Sequence, residues 1–342
     1  MEGRYNIDGE ELEKPSKKKI KRKKKKKINF GKVFLVIMFV AAIVAGNRAA
    51  ALRWQLHGAF GLMNTDSSAV IKNVDAELLK NGGEFISSDD IINILLVGAD
   101  KRESWNDSGR SDSCMIATID LKHNKLKLSS IMRDMYVEIP GYEGKHKFNA
   151  SYSKGGVELL YKTILHHFGI KVDGYAIVDF AAFRNVINKL GGVNITLTDE
   201  EYTTLMSMYH RTSVLDLKPG KNKMNGTQAL AYCRLRKVGN DFGRTERQRT
   251  VIDKIFKKMK KKPVNKWFDV LKAVMPEITT DLPEDKIIEY MQDVIFMGTT
   301  YINQFRVPID GSWSGMTVGT EEVLDVDIEK NREALKKFIY EE

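Results

Sequence analysis

The chain has 342 residues, of which 42% are hydrophobic and 29% charged, with two cysteines. That is ordinary globular composition with length for one large or two small domains, and it excludes a disulfide scaffold. The net charge of +10 resembles that of a nucleic-acid binder only until it is located. Residues 1–32 hold thirteen Lys or Arg against five Asp or Glu, and the remainder holds 42 basic and 40 acidic residues. The basicity belongs to a tail, and no nucleic acid is expected as a partner of the folded part.

Residues 1–29 contain a near-continuous basic run from Lys17 to Lys27. Like charges at this density repel, which predicts a disordered tail. Residues 30–50 follow as a transmembrane anchor: Val33 to Gly46 carries no charge, and Lys32 and Arg48 snorkel to the two interfaces. Basic residues on the N-terminal side put the tail in the cytoplasm and everything after the anchor outside, as a single-pass protein of the cell membrane. A cleaved signal peptide is the competing reading, with weak small-residue sites at Ala45-Gly46-Asn47 and Ala49-Ala50-Ala51. Residues 51–90 read as a juxtamembrane spacer with a short helix at Val74 to Leu79.

Ile91 to Gly98 is a continuous apolar run, as expected of a central strand covered on both faces. Strands at Met115–Asp120 and Leu126–Ile131 follow, then a helix at Gly156–His167, a strand at Tyr175–Val178, a helix at Ala181–Leu190 and a strand at Val193–Leu197. Asp199 to Pro219 has no legible pattern. Arg234 and Arg236 lie on an extended segment, Gly239 to Gly243 forms a tight loop, and a helix runs from Arg244 to about Lys261, stopped by Pro263. Helices at Trp267–Val274 and Glu284–Phe296, a strand at Phe305–Val307 and a helix at Asp327–Ile339 end the chain. Strands alternating with helices predict a layered α/β domain. Cys114 and Cys233 read as independently buried, with one bridge between them as the alternative.

Two groups of residues carry chemistry. Arg234 and Arg236, two apart on a strand, share a face, and Arg244, Arg247 and Gln248 share one on a helix. Four guanidiniums aimed at one place fit a di- or polyphosphate; the competing reading is a salt-bridged surface, because Asp241 and Glu246 lie among them. Asp100 ends the first strand and Asp112 begins the next. If the strands are neighbours the two carboxylates meet at one edge, and paired carboxylates with a phosphate hold Mg²⁺; each alone reads as a turn residue. Arg133 leaves the third strand beside Asp134, which is its alternative partner. Lys147-Phe148-Asn149-Ala150 leads to Gly155-Gly156 and a helix N-terminus, either an oxyanion site or an ordinary cap. Motifs of serine hydrolases, P-loop enzymes and zinc proteases are absent.

Taken together, Gly98-x-Asp100-x-Arg102, Arg110-Ser111-Asp112-Ser113, Ser130-x-x-Arg133-Asp134, Lys147-x-Asn149, Gly155-Gly156, Leu190-Gly191-Gly192-Val193, Asn225-Gly226, Ala229-Leu230-Ala231-Tyr232-x-Arg234-x-Arg236 and Asp241-x-Gly243-Arg244-x-x-Arg247-Gln248 resemble the LytR–CpsA–Psr family over about residues 91–262. The resemblance implies a three-layer α/β/α domain with a mixed central sheet and an apolar groove for lipid, preceded by one transmembrane helix. Residues 91–262 are then the catalytic core and 263–342 the C-terminal part of the same extracellular domain. It implies an extracytoplasmic phosphotransferase that moves a glycopolymer, such as teichoic acid or capsule, from a polyprenyl-pyrophosphate carrier to peptidoglycan. Asp100, Asp112 and Arg133 would be catalytic, with Asp100 and Asp112 holding Mg²⁺ and Asp100 the candidate base. Arg110, Lys147, Arg234, Arg236, Asp241, Arg244, Arg247 and Gln248 would bind the substrate. The apolar residues of Val157–Leu165 and Phe180–Leu190 are candidates for the groove wall, or plain core. Two other functions compete: a lipid-pyrophosphate phosphatase using water, and a non-enzymatic envelope-associated regulator.

Overall fold

The computed structural model describes residues 64–81, 84–100, 110–209 and 216–341, without the side chains of Asp100, Arg110, Asp112, Val264, Asn265, Phe268 and Leu271. The chain opens with β1 (Asn64–Thr65) and α1 (Val70–Lys80), and β2 (Ile91–Asp100), β3 (Arg110–Asp120) and β4 (Lys125–Ile131) then form an antiparallel meander. A small hairpin of β5 (Tyr136–Glu138) and β6 (Lys145–Lys147) leads into α2 (Ala150–Phe168). Next come β7 (Gly174–Val178), α3 (Phe180–Lys189), β8 (Val193–Leu197), α4 (Asp199–Met208), β9 (Gly220–Met224), α5 (Gly226–Cys233) and α6 (Asn240–Lys260). The chain ends with α7 (Val264–Val274), β10 (Ile278–Thr280), α8 (Glu284–Phe296), β11 (Ile302–Val307), the hairpin β12 (Trp313–Val318) and β13 (Glu321–Val326), and α9 (Ile328–Tyr340). The expected tail and anchor lie outside the described residues; among the described residues no helix is long and apolar enough to cross a membrane.

The central sheet has seven strands in the order β1-β10-β7-β2-β3-β4-β11. β2 pairs parallel with β7 and β4 with β11, while β3 is antiparallel to both its neighbours, so the α/β fold has the mixed sheet that was expected. Alternate residues of β2 face opposite layers. Leu95, Val97 and Ala99 join a core with Leu160 and Ile164 of α2 and Leu335 and Ile339 of α9. Ile92 and Ile94 face the other way, toward Phe256 of α6 and Ile287 of α8. A third cluster joins α3, β8, α4, β9, α5 and α6. Residues 91–98 are apolar apart from Asn93 because both faces of their strand are covered, and the buried Asn93 side chain is satisfied by the Lys171 carbonyl and by Tyr340 and Thr118.

Three expectations are corrected and one unassigned segment is resolved. Tyr232–Arg236 is not a strand: α5 ends at Cys233 with Arg234 as its C-cap, because Asn225 and Gln228 form a capping box that starts a helix here. α6 begins at Asn240 instead of Arg244, through left-handed backbone at Gly239 (φ 69°) and Asn240 (φ 55°). α2 begins at Ala150 and is broken at Gly155 and Gly156, whose φ/ψ are non-helical, so the glycines interrupt the helix. The segment after Asp199 is a helix, α4, with a capping box between Thr198 and Glu201.

Gly226 sets the spacing of α3 and α5. A Cβ there would lie 2.3 Å from the Arg184 carbonyl oxygen and 2.6 Å from its Cα, both backbone atoms that cannot rotate away. Gly226→Ala is expected to cost about 1–3 kcal/mol through overpacking. At roughly 2–4 °C per kcal/mol for a chain of this size, the melting temperature falls by about 5 °C, checked by thermal unfolding.

Candidate active site

A cavity of about 830 Å³ opens at the carboxyl end of β2. Its floor is Leu96 and Gly98 of β2 with Ser113 and Met115 of β3. Its walls are Phe180, Phe183 and Val186 of α3, Leu230 and Cys233 of α5, and Ile252 and Ile255 of α6. Of the two helical segments named as groove wall, only the one around Phe180 serves. Leu160, Tyr161, Ile164 and Leu165 are buried in the core of the opposite face. Cys114 and Cys233 are both buried and unpaired, and desolvation pushes both thiols up to about 12.

The mouth of this apolar space is cationic. Arg133, Arg234, Arg236, Lys237, Arg244 and Gln248 line it, together with Met208 and Tyr209 at the end of α4. These six positions come from three places in the chain. Arg133 follows β4, Arg234 to Lys237 are the loop between α5 and α6, and Arg244 and Gln248 are one helical turn apart on α6. Arg234 and Arg236 thus reach the rim from a helix end and a loop. Arg234 lays its guanidinium over the Phe180 ring at 4.8 Å, which steers the head group toward the cavity. Lys237 is an additional basic residue that the sequence reading passed over, although it adjoins Arg236.

Arg247, expected among the substrate-binding residues, does not line the cavity. It is 5% exposed and donates to the carbonyl oxygens of Leu235 and Val238, both at 2.6 Å, and to Glu201 at 3.2 Å. It clamps the loop that carries Arg234 and Arg236, so its part is positioning. The close approach depends on Gly243, where a Cβ would stand 2.9 Å from the Val238 carbonyl.

Asp241 is the acidic centre of the cluster. One of its oxygens accepts from Arg133 Nε at 2.7 Å and from Arg244 Nη2 at 2.9 Å. Burial would raise this carboxyl, but its hydrogen bond with Asp134 and the Arg244 and Arg133 guanidiniums prevail and hold it down to about 2. Burial, then the hydrogen bond to Asp241, pushes Asp134 up to about 6 against the pull of Arg133 and Lys147. Lys147 sits 3.5 Å from Asp134 and lines a second cavity beside the first, away from the apolar one. Asp241 therefore supplies the salt-bridged surface of the competing reading, while the outer arginines still face the cavity.

Asp100 and Asp112 fall at the same end of neighbouring strands. Gly98 pairs with Ser113 and Ala99 with Ser111, leaving Asp112 as the extra residue of a β-bulge, and Asp100 pairs with Arg110. The backbone juxtaposition on which the paired-carboxylate expectation depends is present; the side chains of Asp100, Arg110 and Asp112 lie outside the described residues. The Lys147–Gly156 segment contributes only Lys147, and to the second cavity; none of its other residues lines either space.

The description of the LytR_cpsA_psr family matches residues 61–337. Among similar proteins, "Regulatory protein MsrR" of Staphylococcus aureus (strain COL) is 32% identical over 260 residues, 75% of this chain and 77% of that one. "Polyisoprenyl-teichoic acid--peptidoglycan teichoic acid transferase TagU" of Bacillus cereus (strain AH820) is 34% identical over 216 residues, 62% of this chain and 68% of that one. The solved structure of TagT bound to LI-WTA superposes with a TM-score of 0.62 at 26% identity, covering 75% of this chain and 94% of the other.

Proposed function

The chain belongs to the LytR_cpsA_psr family, and from that premise we propose that it transfers a glycopolymer from a polyprenyl-pyrophosphate carrier to peptidoglycan, outside the cytoplasmic membrane. The observation that carries the reading is an apolar cavity of about 830 Å³ rimmed by arginines. An amphiphile with a long hydrocarbon tail and a doubly anionic head has both halves of this chemistry. The tail takes Phe183, Val186, Ile252 and Ile255; the pyrophosphate takes Arg133, Arg234, Arg236 and Arg244, with Gln248 as a neutral donor. The related transferase named for teichoic acid supports the same chemistry. The regulator reading draws on the name of another relative, and it gives no reason for such a cavity.

In the reaction we assign, a sugar hydroxyl of the acceptor bonds to the phosphorus that bears the glycan. The bond from that phosphorus to the bridging oxygen breaks, and the carrier leaves as its monophosphate. The hydroxyl proton passes to a base, for which Asp100 is the candidate. Guanidiniums fixed in a site of low dielectric stabilise the charge gathering on the leaving phosphate, and they need no reorganisation as it forms. Asp100 and Asp112, at one end of adjacent strands, suit Mg²⁺, which binds through one or two carboxylates plus phosphate oxygens. Bound there, the ion would add Lewis-acid neutralisation of the pyrophosphate. The basic tail and apolar residues 30–50 fit a single-pass anchor that keeps the site at the membrane surface where the carrier resides.

The test is donor affinity against chain length, using full-length protein in detergent and synthetic prenyl-pyrophosphate sugars. Each further buried isoprene unit is expected to tighten binding by roughly tenfold or more until the cavity is full, since burial is worth ~0.8 kcal/mol per methylene. Affinity independent of chain length would remove the lipid from the cavity and the reading with it.

A further inference from the structure

Arg133 and Arg236 line two cavities at once. Beyond the apolar one lies a second, of about 950 Å³, walled by the hairpin β12–β13 and by Asp134, Lys147 and Phe242. It shares no other residue with the first. The hairpin stands outside the central sheet and docks through Leu324, whose backbone N–H donates to the Asp134 carbonyl at 2.8 Å.

The chemistry of this second space differs from that of the first. Trp313 is 37% exposed and Met316 39% exposed, both on β12. The indole stacks on Phe242 with ring centroids 4.6 Å apart, and Arg306 lies 4.4 Å from the Phe242 centroid, so the platform is braced. Around it stand Glu321, Glu322, Asp134 and Thr317. Lys147 is committed to two of these acids, 3.5 Å from Asp134 and 3.9 Å from Glu321. Carboxylates on the hairpin repel a phosphate, whereas they accept hydrogen bonds from hydroxyls. A partly exposed indole with hydroxyl acceptors round it suits a sugar ring, which is apolar on its faces and hydroxylated at its edge.

Position agrees with chemistry. In a roughly in-line phosphoryl transfer, nucleophile and leaving group occupy opposite sides of the phosphorus. A carrier whose tail fills the first cavity leaves from that side, and the attacking hydroxyl arrives from the other. Resting on the phosphotransferase reading above, we propose that the second cavity is the docking cleft of the acceptor glycan strand and that Trp313 is the platform for one of its sugars.

The experiment uses full-length protein in detergent and, as probe, a soluble oligosaccharide of alternating N-acetylglucosamine and N-acetylmuramic acid, titrated with the prenyl-pyrophosphate donor present. The expected result is that Trp313→Ala weakens oligosaccharide binding about tenfold, the loss typical of an aromatic anchor. Trp313→Phe should keep most of the affinity, and donor affinity should be the same in all three proteins. Equal oligosaccharide affinity in wild type and Trp313→Ala would overturn the cleft, as would a wild type that binds donor but no oligosaccharide. Failure to bind the donor itself would instead overturn the underlying phosphotransferase reading.

Discussion

Arg244→Ala is expected to lower kcat/KM for glycopolymer transfer by on the order of 10²–10³, the loss seen when one preorganised donor to a developing charge is removed. Arg244 is 3% exposed, yet it lines the mouth of the apolar cavity. Its stem is held by packing and one of its terminal nitrogens by Asp241 at 2.9 Å. A guanidinium fixed this way presents its charge without an entropic cost at the moment of reaction. Arg244→Lys keeps a charge but loses the planar fork, and should recover only part of the rate. The measurement is single-turnover transfer from a prenyl-pyrophosphate donor, with a thermal melt of each variant to exclude unfolding. A rate for Arg244→Ala within about threefold of wild type would take Arg244 out of the site; ordinary surface substitutions have effects of that size.

The legibility of this site in the sequence was uneven, for physical reasons. Arg244 and Gln248 were readable because helical spacing alone puts positions four apart on one face. Arg247 passes the same test with Arg244 but is turned inward, because Glu201 and the carbonyls of Leu235 and Val238 claim its guanidinium. Glu201 lies in the segment after Asp199 that had no legible pattern, so its pull on Arg247 was invisible. Arg234 and Arg236 reach the rim that Arg244 also lines, but by another route than a strand. Alternation pointed to a strand, while the Asn225 capping box built a helix whose end delivers them. The hairpin β12–β13 was missed because most of its residues are exposed, so neither face carries the apolar alternation that marks a strand. The sheet itself is readable because the burial of β2 on both faces leaves a run that is apolar but for Asn93.

Asp241 is the carboxylate shared by two of the arginines at the cavity mouth, and its removal should therefore act on stability in a ligand-dependent way. It bonds Arg133 at 2.7 Å and Arg244 at 2.9 Å, and its carboxyl, held down to about 2, is ionised at neutral pH. The sign follows: a lowered pKa gives stability that is present above the ordinary carboxyl range and is lost as pH falls toward 2. Asp241→Ala at neutral pH removes the carboxylate that the Arg133 and Arg244 guanidiniums share. Breaking a buried pair costs about 3–5 kcal/mol. The lower end applies, because Asp134 stands 3.5 Å from Arg133 and ionises more readily once Asp241 no longer shares its hydrogen bond. At roughly 2–4 °C per kcal/mol, the melting temperature in anion-poor buffer should fall by about 10 °C. Added inorganic pyrophosphate restores the missing counter-charge, so it should raise the melting temperature of Asp241→Ala by more than that of wild type. An Asp241→Ala protein that melts like wild type would show that the carboxylate bridge does not stabilise the fold. Equal pyrophosphate shifts in the two proteins would show that the anion does not reach these arginines.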